Sequence, residues 1–477
     1  MRQVLLLALA LFVAGWTLIP SLLHTALPLD VIESGSWGRE FVAISYKHPN
    51  LPGLLIEAAY RLTGQYGWPQ YLLSAVAGAL SIWLVYLLGR RMLGEPAAIA
   101  GALLLLGCYY FTWPIPEFNH NIAQLPVWAA IAVLLWSATH DDRPWQWLLL
   151  GLVAGLGLYA KLSTLSLLFA GGVWVLADAT ARSRLRGGWS WAGLLIFALF
   201  AALLGWQAAS AGGGLVSFIS TSGANGGGPV EFVVAQLLDL LPLLVVVGLA
   251  VALPRRRTDS MVAAPDLPRA RGFLAIMLGL PLLSAVLASV VTGAQAMWGA
   301  PMLNLTGLAI IAWLPGRFDA TAIRRVAIGA LVLVVLFSGL FAVRHIVSAE
   351  TGAVPLRTQW PQRQIAERFA EIWRRQTGAP LSLVGGNDWV AGLLALELSP
   401  RASVFYRLDP LLSPWVTAER ATREGMLVVW PGREPPAYAV PLLEGHAAGV
   451  EQFAWSSSAA ATPIEIGYAV VPPRPVR

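Results

Sequence analysis

The sequence predicts a polytopic α-helical membrane protein that ends in a small α/β domain. Hydrophobic residues make up 57% of the chain, charged residues only 12%, and the mean hydropathy is +0.65, whereas soluble domains are about a quarter charged. Apolar runs near the length of a bilayer span recur up to residue 345. Strand and helix patterns then alternate to the C-terminus. These changes predict a membrane domain over 1–345 and an α/β domain over 346–477.

Eleven apolar runs are long enough, or nearly so, to cross a bilayer as helices. They lie at about 4–23, 70–88, 97–113, 121–138, 146–160, 163–177, 190–209, 230–253, 272–291, 298–314 and 324–344. The first run resembles a signal peptide, but no convincing small-residue cleavage site follows it. We therefore expect it to remain as a membrane anchor.

The basic residues orient these spans. Fifteen arginines fall in loops on one side: Arg2, Arg90, Arg91, Arg143, Arg182, Arg184, Arg186, Arg255, Arg256, Arg257, Arg269, Arg271, Arg317, Arg324 and Arg325. The other side holds four cations: Arg39, Lys47, Arg61 and Lys161. The positive-inside rule places the N-terminus in the cytoplasm and the C-terminal domain outside. The net charge of +6 thus reflects the orientation of the chain in the membrane, and no nucleic-acid partner is expected.

The C-terminal domain shows its own secondary-structure pattern. Ile365, Phe369 and Ile372 recur at helical spacing, whereas "PLSLVGG", "SVFYRL" and "GMLVVW" read as strands and "WVAGLLALEL" as a helix. Gly385 and Gly386 end the first strand; a strand-to-helix turn explains them better than a ligand site. The single cysteine, Cys108, excludes an intrachain disulfide.

The first outer loop, residues 24–69, concentrates polar side chains beside the membrane. Its segments "VIESGSWGREF" and "LPGLLIEAAYRL" are too short to span and predict two amphipathic helices at the interface, with Pro49 and Pro52 marking the turn and the start of the second. The candidate functional residues here are Asp30, Glu33, Arg39, Lys47 and His48.

A second outer loop, residues 112–121, holds Glu117, Asn119 and His120 at the mouth of the bundle. Ionisable groups at such depth usually face a cavity and serve a function, although ordinary solvated loop residues are the alternative. Asn119 and its neighbour Asn121 are also suited to capping the helix that follows.

Two further residues have both a functional and a structural interpretation. Lys161, at a tight hairpin between spans, either contacts helix-end carbonyls or provides a point charge for an anionic headgroup; its rarity beside so many arginines favours the second role. Trp298 fits an interfacial tryptophan belt or stacking on a substrate ring.

These residue types fit sugar transfer from a lipid-phosphate carrier. A carboxylate can take the proton of an acceptor hydroxyl, and cations can stabilise the charge that grows on a departing phosphate. The sequence contains no metalloprotease, phosphate-loop or serine-hydrolase motif to favour other chemistry. It leaves a divalent cation open as a cofactor.

Three segments carry a family resemblance: "PLDVIESGSWGREFVAISYKHPNLPGLLIEAAYRLTG", "PIPEFNHNIAQLPVW" and "GLVAGLGLYAKLSTLSLL". Together they resemble bacterial glycosyltransferases of the dolichyl-phosphate-mannose protein mannosyltransferase type, the family 39 and aminoarabinose-transferase-like group with the GT-C fold. The resemblance covers roughly residues 1–345. It implies a catalytic acidic residue in the first outer loop, just after the first span, where Asp30 fits best. Relatives carry an adjacent Asp-Glu pair, so Glu33 remains a rival for the base.

The remaining site residues are also implied by the resemblance. "KHPN" is similar to the family's "HPP" or "KPP", which gives Lys47 or His48 a phosphate-binding role, with Asn50 in place of the second proline. Glu117 matches the acid of a Pro-Asp motif, and Lys161 matches a lysine after the fifth span. The C-terminal domain resembles the outer soluble domain of such enzymes only generally.

The resemblance implies an inverting glycosyltransferase of the bacterial inner membrane. Its donor would be a polyprenyl-phosphate sugar that enters from the membrane lipids, and its acceptor a lipid, glycan or protein on the periplasmic side. The alternative is a transporter or flippase of lipid-linked sugars. A transporter is expected to place key ionisable residues near the bilayer midplane, whereas here they gather on one face, which favours an enzyme.

Overall fold

The computed structural model describes residues 1–210, 226–252, 259–351, 355–456 and 462–474. The α-helices are α1 (Arg2–Leu23), α2 (Leu29–Arg39), α3 (Leu51–Thr63), α4 (Trp68–Leu93), α5 (Glu95–Leu104), α6 (His120–Asp141), α7 (Pro144–Ala160), α8 (Thr164–Ala177), α9 (Ala179–Arg184), α10 (Gly188–Ser210), α11 (Pro229–Asp239), α12 (Leu241–Ala252), α13 (Leu267–Thr292), α14 (Thr306–Trp313), α15 (Ala320–Thr351), α16 (Gln362–Thr377), α17 (Asp388–Glu397), α18 (Ala418–Glu424) and α19 (Val440–Leu443). Short 3₁₀ turns lie at Leu105–Gly107, Tyr109–Phe111, Ala296–Gly299, Pro301–Leu303, Pro315–Arg317 and Arg357–Gln359. The strands are β1 (Leu383–Gly386), β2 (Ser403–Tyr406), β3 (Met426–Pro431), β4 (Ala447–Phe453) and β5 (Ile464–Val471).

Every predicted apolar run coincides with helical structure. Within the described ranges, six helices are long and apolar enough to cross a membrane, and two more candidates are helix pairs bent by 50° and 58°. Three shorter apolar helices, Glu95–Gly107, Pro144–Ala160 and Thr164–Ala177, fall on the other predicted runs. The multi-pass helical fold is confirmed, and the number of eleven crossings stays a prediction.

Small residues let several of these helices approach closely, as is common in membrane bundles. A Cβ on Gly307 of α14 would lie 2.0 Å from the carbonyl oxygen of Gly101 in α5. A Cβ on Gly151 of α7 would lie 2.1 Å from the carbonyl oxygen of Gly193 in α10. Any side chain at these two crossings would push the helices apart.

Arginines from the predicted inner loops form ion pairs with carboxylates at one end of the helices. Arg91 binds Asp141 at 2.7 Å and links α4 to α6, whereas Arg269 binds Asp178 at 3.1 Å and links α13 to the start of α9. These loops therefore meet at one end of the bundle, as the arginine pattern predicts. Arg255, Arg256 and Arg257 lie outside the described residues.

Both helices predicted for the first outer loop form, as α2 and α3. Asn50 caps α3 by accepting a hydrogen bond from the Gly53 amide, and Pro52 lies in its first turn. Residues 31–38 of α2 are buried, because α3 covers it at Gly38 and α17 covers it at Gly392. Protein therefore surrounds α2 over most of its length, and its position at a membrane interface stays a prediction.

The C-terminal segment forms a five-stranded sheet of order β2-β1-β3-β5-β4. The three predicted strands are its parallel part, in which Gly386 of β1 pairs with Tyr406 of β2 and Val429 of β3. Strands β4 and β5, which the sequence did not predict, add an antiparallel edge. The predicted helices form α16 and α17, and Gly386 is the turn between β1 and α17, as expected.

The chain divides into two compact units. One contains Met1–Leu18, Tyr71–Ala208 and the described residues of the segment that ends at Leu340; the other contains Ile19–Gln70 and the segment from Phe341 onward. The first outer loop therefore packs with the C-terminal domain in a single unit. The boundary predicted between residues 345 and 346 stays a prediction.

Candidate active site

The segment 43–50 is a closed turn that presents Tyr46, Lys47 and His48. The Ser45 amide and hydroxyl both donate to the His48 carbonyl, at 2.8 and 3.0 Å, and the Asn50 amide donates to the Ala43 carbonyl at 2.8 Å. The Asn50 side chain also donates to the Val42 carbonyl at 2.9 Å. A proline at position 50 would lose both the amide donor of the turn and the side chain that caps α3.

Lys47 is held by a carboxylate from α2. Its Nζ lies 2.5 Å from Oε1 of Glu33 and 3.7 Å from Oδ2 of Asp388, and its side chain is 22% exposed. The ammonium also lies 5.4 Å from the ring centroid of Tyr46, a cation–π distance. The structure thus joins two of the predicted site residues, Glu33 and Lys47, in one partly buried ion pair.

Burial changes the acidity of the Glu33 carboxyl group. Desolvation raises the pKa of Glu33 to about 7, against the opposing charge and hydrogen bond of Lys47, while the negative charges of Asp30 and Asp388 raise it further. Glu33 is therefore half protonated near neutral pH. A carboxyl group whose pKa is shifted by burial, and which is paired with a specific cation, is a candidate functional group.

Asp30 lies in the first turn of α2, where the helix dipole favours a negative charge. It precedes Glu33 by three residues, so both carboxyl groups lie on one side of the helix, and its charge acts on Glu33. The two rivals for the catalytic base are therefore neighbours, and Glu33 is the one that binds Lys47.

The structure places the two other predicted residues of this loop beside local partners. Arg39 donates to the Ser403 hydroxyl at 2.8 Å and the Arg401 carbonyl at 2.7 Å, and it pairs with Glu40. These contacts attach the end of α2 to β2. His48 is half-buried, and its amide donates to Ser45 at 3.0 Å. Their substrate-binding roles stay predictions.

A second polar cluster forms in the other unit, where α6 begins and α7 ends. Asn119 caps α6 by accepting from the amides of Asn121 and Ile122, at 2.9 and 3.1 Å, so its predicted capping role is confirmed. Lys161 ends α7, and its Nζ donates to Oδ1 of Asn121 at 2.7 Å. Lys161 thus lies beside the start of α6, which directly follows the loop of Glu117.

The remaining predicted residues of this unit differ in burial. His120 is buried at the start of α6, whereas Glu117 is half-buried and acts electrostatically on Tyr71. Trp298 is half-buried in the turn Ala296–Gly299, part of a bent helix pair. Their functional roles stay predictions.

Sequence reasoning missed three residues next to Lys47. Tyr46 donates to Oδ2 of Asp388 at 3.1 Å, and Nη2 of Arg407 lies 3.0 Å from the same oxygen. In the sequence, the only indication of Asp388 was its position directly after Gly386 and Asn387, where a helix begins. No group of three or more metal-ligating side chains occurs among the described residues, and a divalent cation stays a prediction.

Comparisons with known proteins find both a similar sequence family and a similar fold. Residues 47–206 match the family model of dolichyl-phosphate-mannose-protein mannosyltransferases. The fold is similar to that of ArnT from Cupriavidus metallidurans, bound to undecaprenyl phosphate and in the apo state, with TM-score 0.65, 14% identity and 97% of both chains covered. These matches show that the chain has the GT-C fold of ArnT and that residues 47–206 are similar to that family of mannosyltransferases.

A curated protein is similar to this chain over a shorter range. An undecaprenyl phosphate-α-4-amino-4-deoxy-L-arabinose arabinosyl transferase of Pseudomonas fluorescens is 27% identical over 139 residues, which span 28% of this chain and 24% of that protein. The GT-C resemblance read from the three sequence segments is confirmed. None of the comparisons favours a flippase.

Proposed function

We propose that this protein is an inverting glycosyltransferase that moves a sugar from a polyprenyl-phosphate carrier to a lipid, glycan or protein acceptor. The observation that carries the proposal is the partly buried Glu33–Lys47 pair beside Asp30, next to the segment that matches a family of lipid-phosphate-dependent transferases. An ammonium, a carboxylate of tuned acidity and a second carboxylate are the groups that such a transfer needs.

Each group has a separate task in the transfer. The Asp30 carboxylate takes the proton of the acceptor hydroxyl, whose oxygen attacks the anomeric carbon from the face opposite the phosphate. The bond between that carbon and the phosphate oxygen breaks, and the carrier phosphate leaves with the electron pair. Lys47, assisted by His48, stabilises its growing charge. Glu33 is the counter-ion that holds Lys47 until the donor arrives.

The family resemblance also gives roles to two residues of the second cluster, Lys161 and Glu117. Lys161, which donates to the neutral amide of Asn121, would provide a point charge for a phosphate, and Glu117 would orient the acceptor or its ring. The protein would lie in the bacterial inner membrane with its N-terminus cytoplasmic and its sheet domain periplasmic. Transfer from labelled hexose- and pentose-linked polyprenyl phosphates decides which kind of sugar the donor carries.

The test is transfer by the purified protein in lipid nanodiscs with labelled polyprenyl-phosphate sugars. For Asp30→Asn we expect a loss of transfer of at least about 10²-fold while undecaprenyl phosphate still binds, because the amide keeps the shape but cannot accept the proton. Glu419→Gln, which neutralises an exposed carboxylate of α18, is the matched control. Full transfer in Asp30→Asn would move the base to Glu33.

A further inference from the structure

Tyr46 connects the donor-binding turn to the sheet domain. Its hydroxyl donates to Oδ2 of Asp388 at 3.1 Å, and its ring lies 6.0 Å from that of Tyr406, the last residue of β2. Burial raises the pKa of Tyr46 above its usual value, so the hydroxyl remains a donor throughout the physiological range. The residue next to Lys47 is therefore fixed between the ends of two parallel strands.

The end of β1 places Asp388 at this position. Gly386 has a φ of 132°, and a Cβ on it would lie 2.0 Å from the Val429 carbonyl oxygen, so only glycine lets β1 close against β3 there. Asn387 then caps α17 by accepting from the Trp389 amide at 2.9 Å. Asp388 follows as the first residue of α17, where its negative charge is favoured.

Arg407 holds Asp388 from the end of β2. Its Nη2 lies 3.0 Å from Oδ2 of Asp388. Arg407 and Leu408 have φ values of 50° and 59°, a left-handed conformation that side-chain-bearing residues adopt at a cost. This backbone turns the chain sharply at the end of β2. The guanidinium therefore anchors the carboxylate while its own side chain remains half exposed.

Asp388 also has capacity for another partner. Its Oδ1 is buried and, in the part of the chain that the structure describes, accepts no hydrogen bond, and the residue is 8% exposed. Such an atom is costly to leave unsatisfied. The Lys47 ammonium lies 3.7 Å from Oδ2 of the same carboxylate. It is therefore close enough to donate a hydrogen bond to Asp388 when its contact with Glu33 is released.

We propose that Asp388 is a positioning residue for Lys47, which keeps the ammonium at the donor-phosphate site after the contact with Glu33 breaks. The sheet domain, to which Asp388 belongs, would thereby contribute to donor binding. This inference rests on the proposed function. A phosphate that approaches Lys47 competes with the Glu33 carboxylate, whereas Asp388, already bonded to Arg407 and Tyr46, stays in place and fixes the direction from which Lys47 reaches the phosphate.

The pH dependence of donor binding should report this arrangement. Below about pH 7 Glu33 is protonated and releases Lys47, so the phosphate binds more tightly; above it, the ionised carboxylate competes. Because the charge of Asp388 contributes to the raised pKa of Glu33, its removal shifts the transition to lower pH. The charged and titratable groups that act on Glu33 are Lys47, Asp30, Asp388, Tyr46 and Tyr406.

The experiment compares Asp388→Asn and Tyr46→Phe with the wild type and the Glu419→Gln control in nanodiscs. The Kd for undecaprenyl phosphate is measured from pH 5.5 to 8.5, and hydrogen exchange is followed over residues 43–50. For Asp388→Asn we expect a Kd weakened about tenfold or more, a transition at lower pH and faster exchange. Tyr46→Phe keeps the charge, so we expect faster exchange with an unshifted transition.

Wild-type Kd and an unshifted transition in Asp388→Asn would overturn the inference, even if exchange accelerates, because Asp388 would then be purely structural. If Asp388→Asn fails to fold, Tyr46→Phe decides: a wild-type Kd with wild-type exchange overturns the inference as well. A wild-type protein that neither binds undecaprenyl phosphate nor transfers any sugar refutes the proposed function itself, which is a distinct outcome.

Discussion

The two lysines of this chain occupy different units and have opposite surroundings. Lys47 lies between two carboxylates, 2.5 Å from Glu33 and 3.7 Å from Asp388. Lys161 donates at 2.7 Å to the neutral amide of Asn121. An ammonium that is paired with carboxylates must exchange partners before it binds a phosphate, whereas one held by an amide keeps its charge for the ligand. In the proposed function, protonation of Glu33 regulates the first lysine and the second acts as a fixed cation.

The unit of Lys47 also uses ion pairs to hold itself together. Glu57 of α3, whose side chain is 1% exposed, receives two hydrogen bonds from Arg401, at 2.8 and 3.0 Å. Arg401 also donates to the Tyr66 hydroxyl at 2.6 Å and lies over the ring of Tyr60. Buried charge in this unit therefore serves both architecture and chemistry, and the two uses are separable by mutation.

The largest effect on stability is expected from Arg401→Met. Burial opposes ionisation of Glu57, but the hydrogen bonds from Arg401 and Arg61 hold its pKa below the usual value. Without Arg401 the carboxylate stays buried with Arg61 as its remaining arginine, and we expect a loss of about 3 kcal/mol, measured as a lower unfolding midpoint in detergent. Arg61→Met is the matched control, because Arg61 is 59% exposed and such pairs contribute about 0–1 kcal/mol. Equal losses in both variants would contradict this account.

Lys161→Met tests the comparison of the lysines directly. If Lys161 is a fixed cation for the phosphate, its removal costs a charge-assisted hydrogen bond of about 1.5–3 kcal/mol, which weakens undecaprenyl phosphate binding roughly 10- to 150-fold without a change in pH dependence. Lys47→Met should weaken binding similarly and also abolish the transition near pH 7, because Glu33 loses its partner. Isothermal titration across pH checks both. Wild-type affinity in Lys161→Met would assign that lysine to the helix end alone.

Local patterns predicted local structure well. The lengths of the apolar runs predicted the apolar helices, Pro49 and Pro52 predicted the start of α3, and short apolar segments predicted the three parallel strands. These elements depend on periodicity and capping, which neighbouring residues determine. Strand β5 was missed although it alternates, and β4 was missed because it is a largely exposed edge strand.

Contacts between distant residues were not predictable in the same way. Tyr46 and Asp388 are 342 positions apart, and Arg39 and Ser403 are 364 apart. Neither contact can be predicted from residue spacing or composition, because each forms only when the first loop packs on α17 and β2. The resemblance pointed to Asp30, Glu33 and Lys47, the residues to which the proposed function gives roles in transfer and phosphate binding. It did not predict Asp388, which lies in the domain that it covered only generally.

The smallest expected effects separate the two asparagine caps. Asn119→Ala removes the cap of α6 and should cost about 1 kcal/mol. Asn50→Ala removes the cap of α3 and also the bond to the Val42 carbonyl that closes the turn of Lys47, so we expect about 2 kcal/mol. Unfolding midpoints give these values. Because the turn presents Lys47, Asn50→Ala should also weaken donor binding several-fold. If it lowers stability with no change in donor affinity, the closed turn is not what positions Lys47, and the contacts with Glu33 and Asp388 are sufficient.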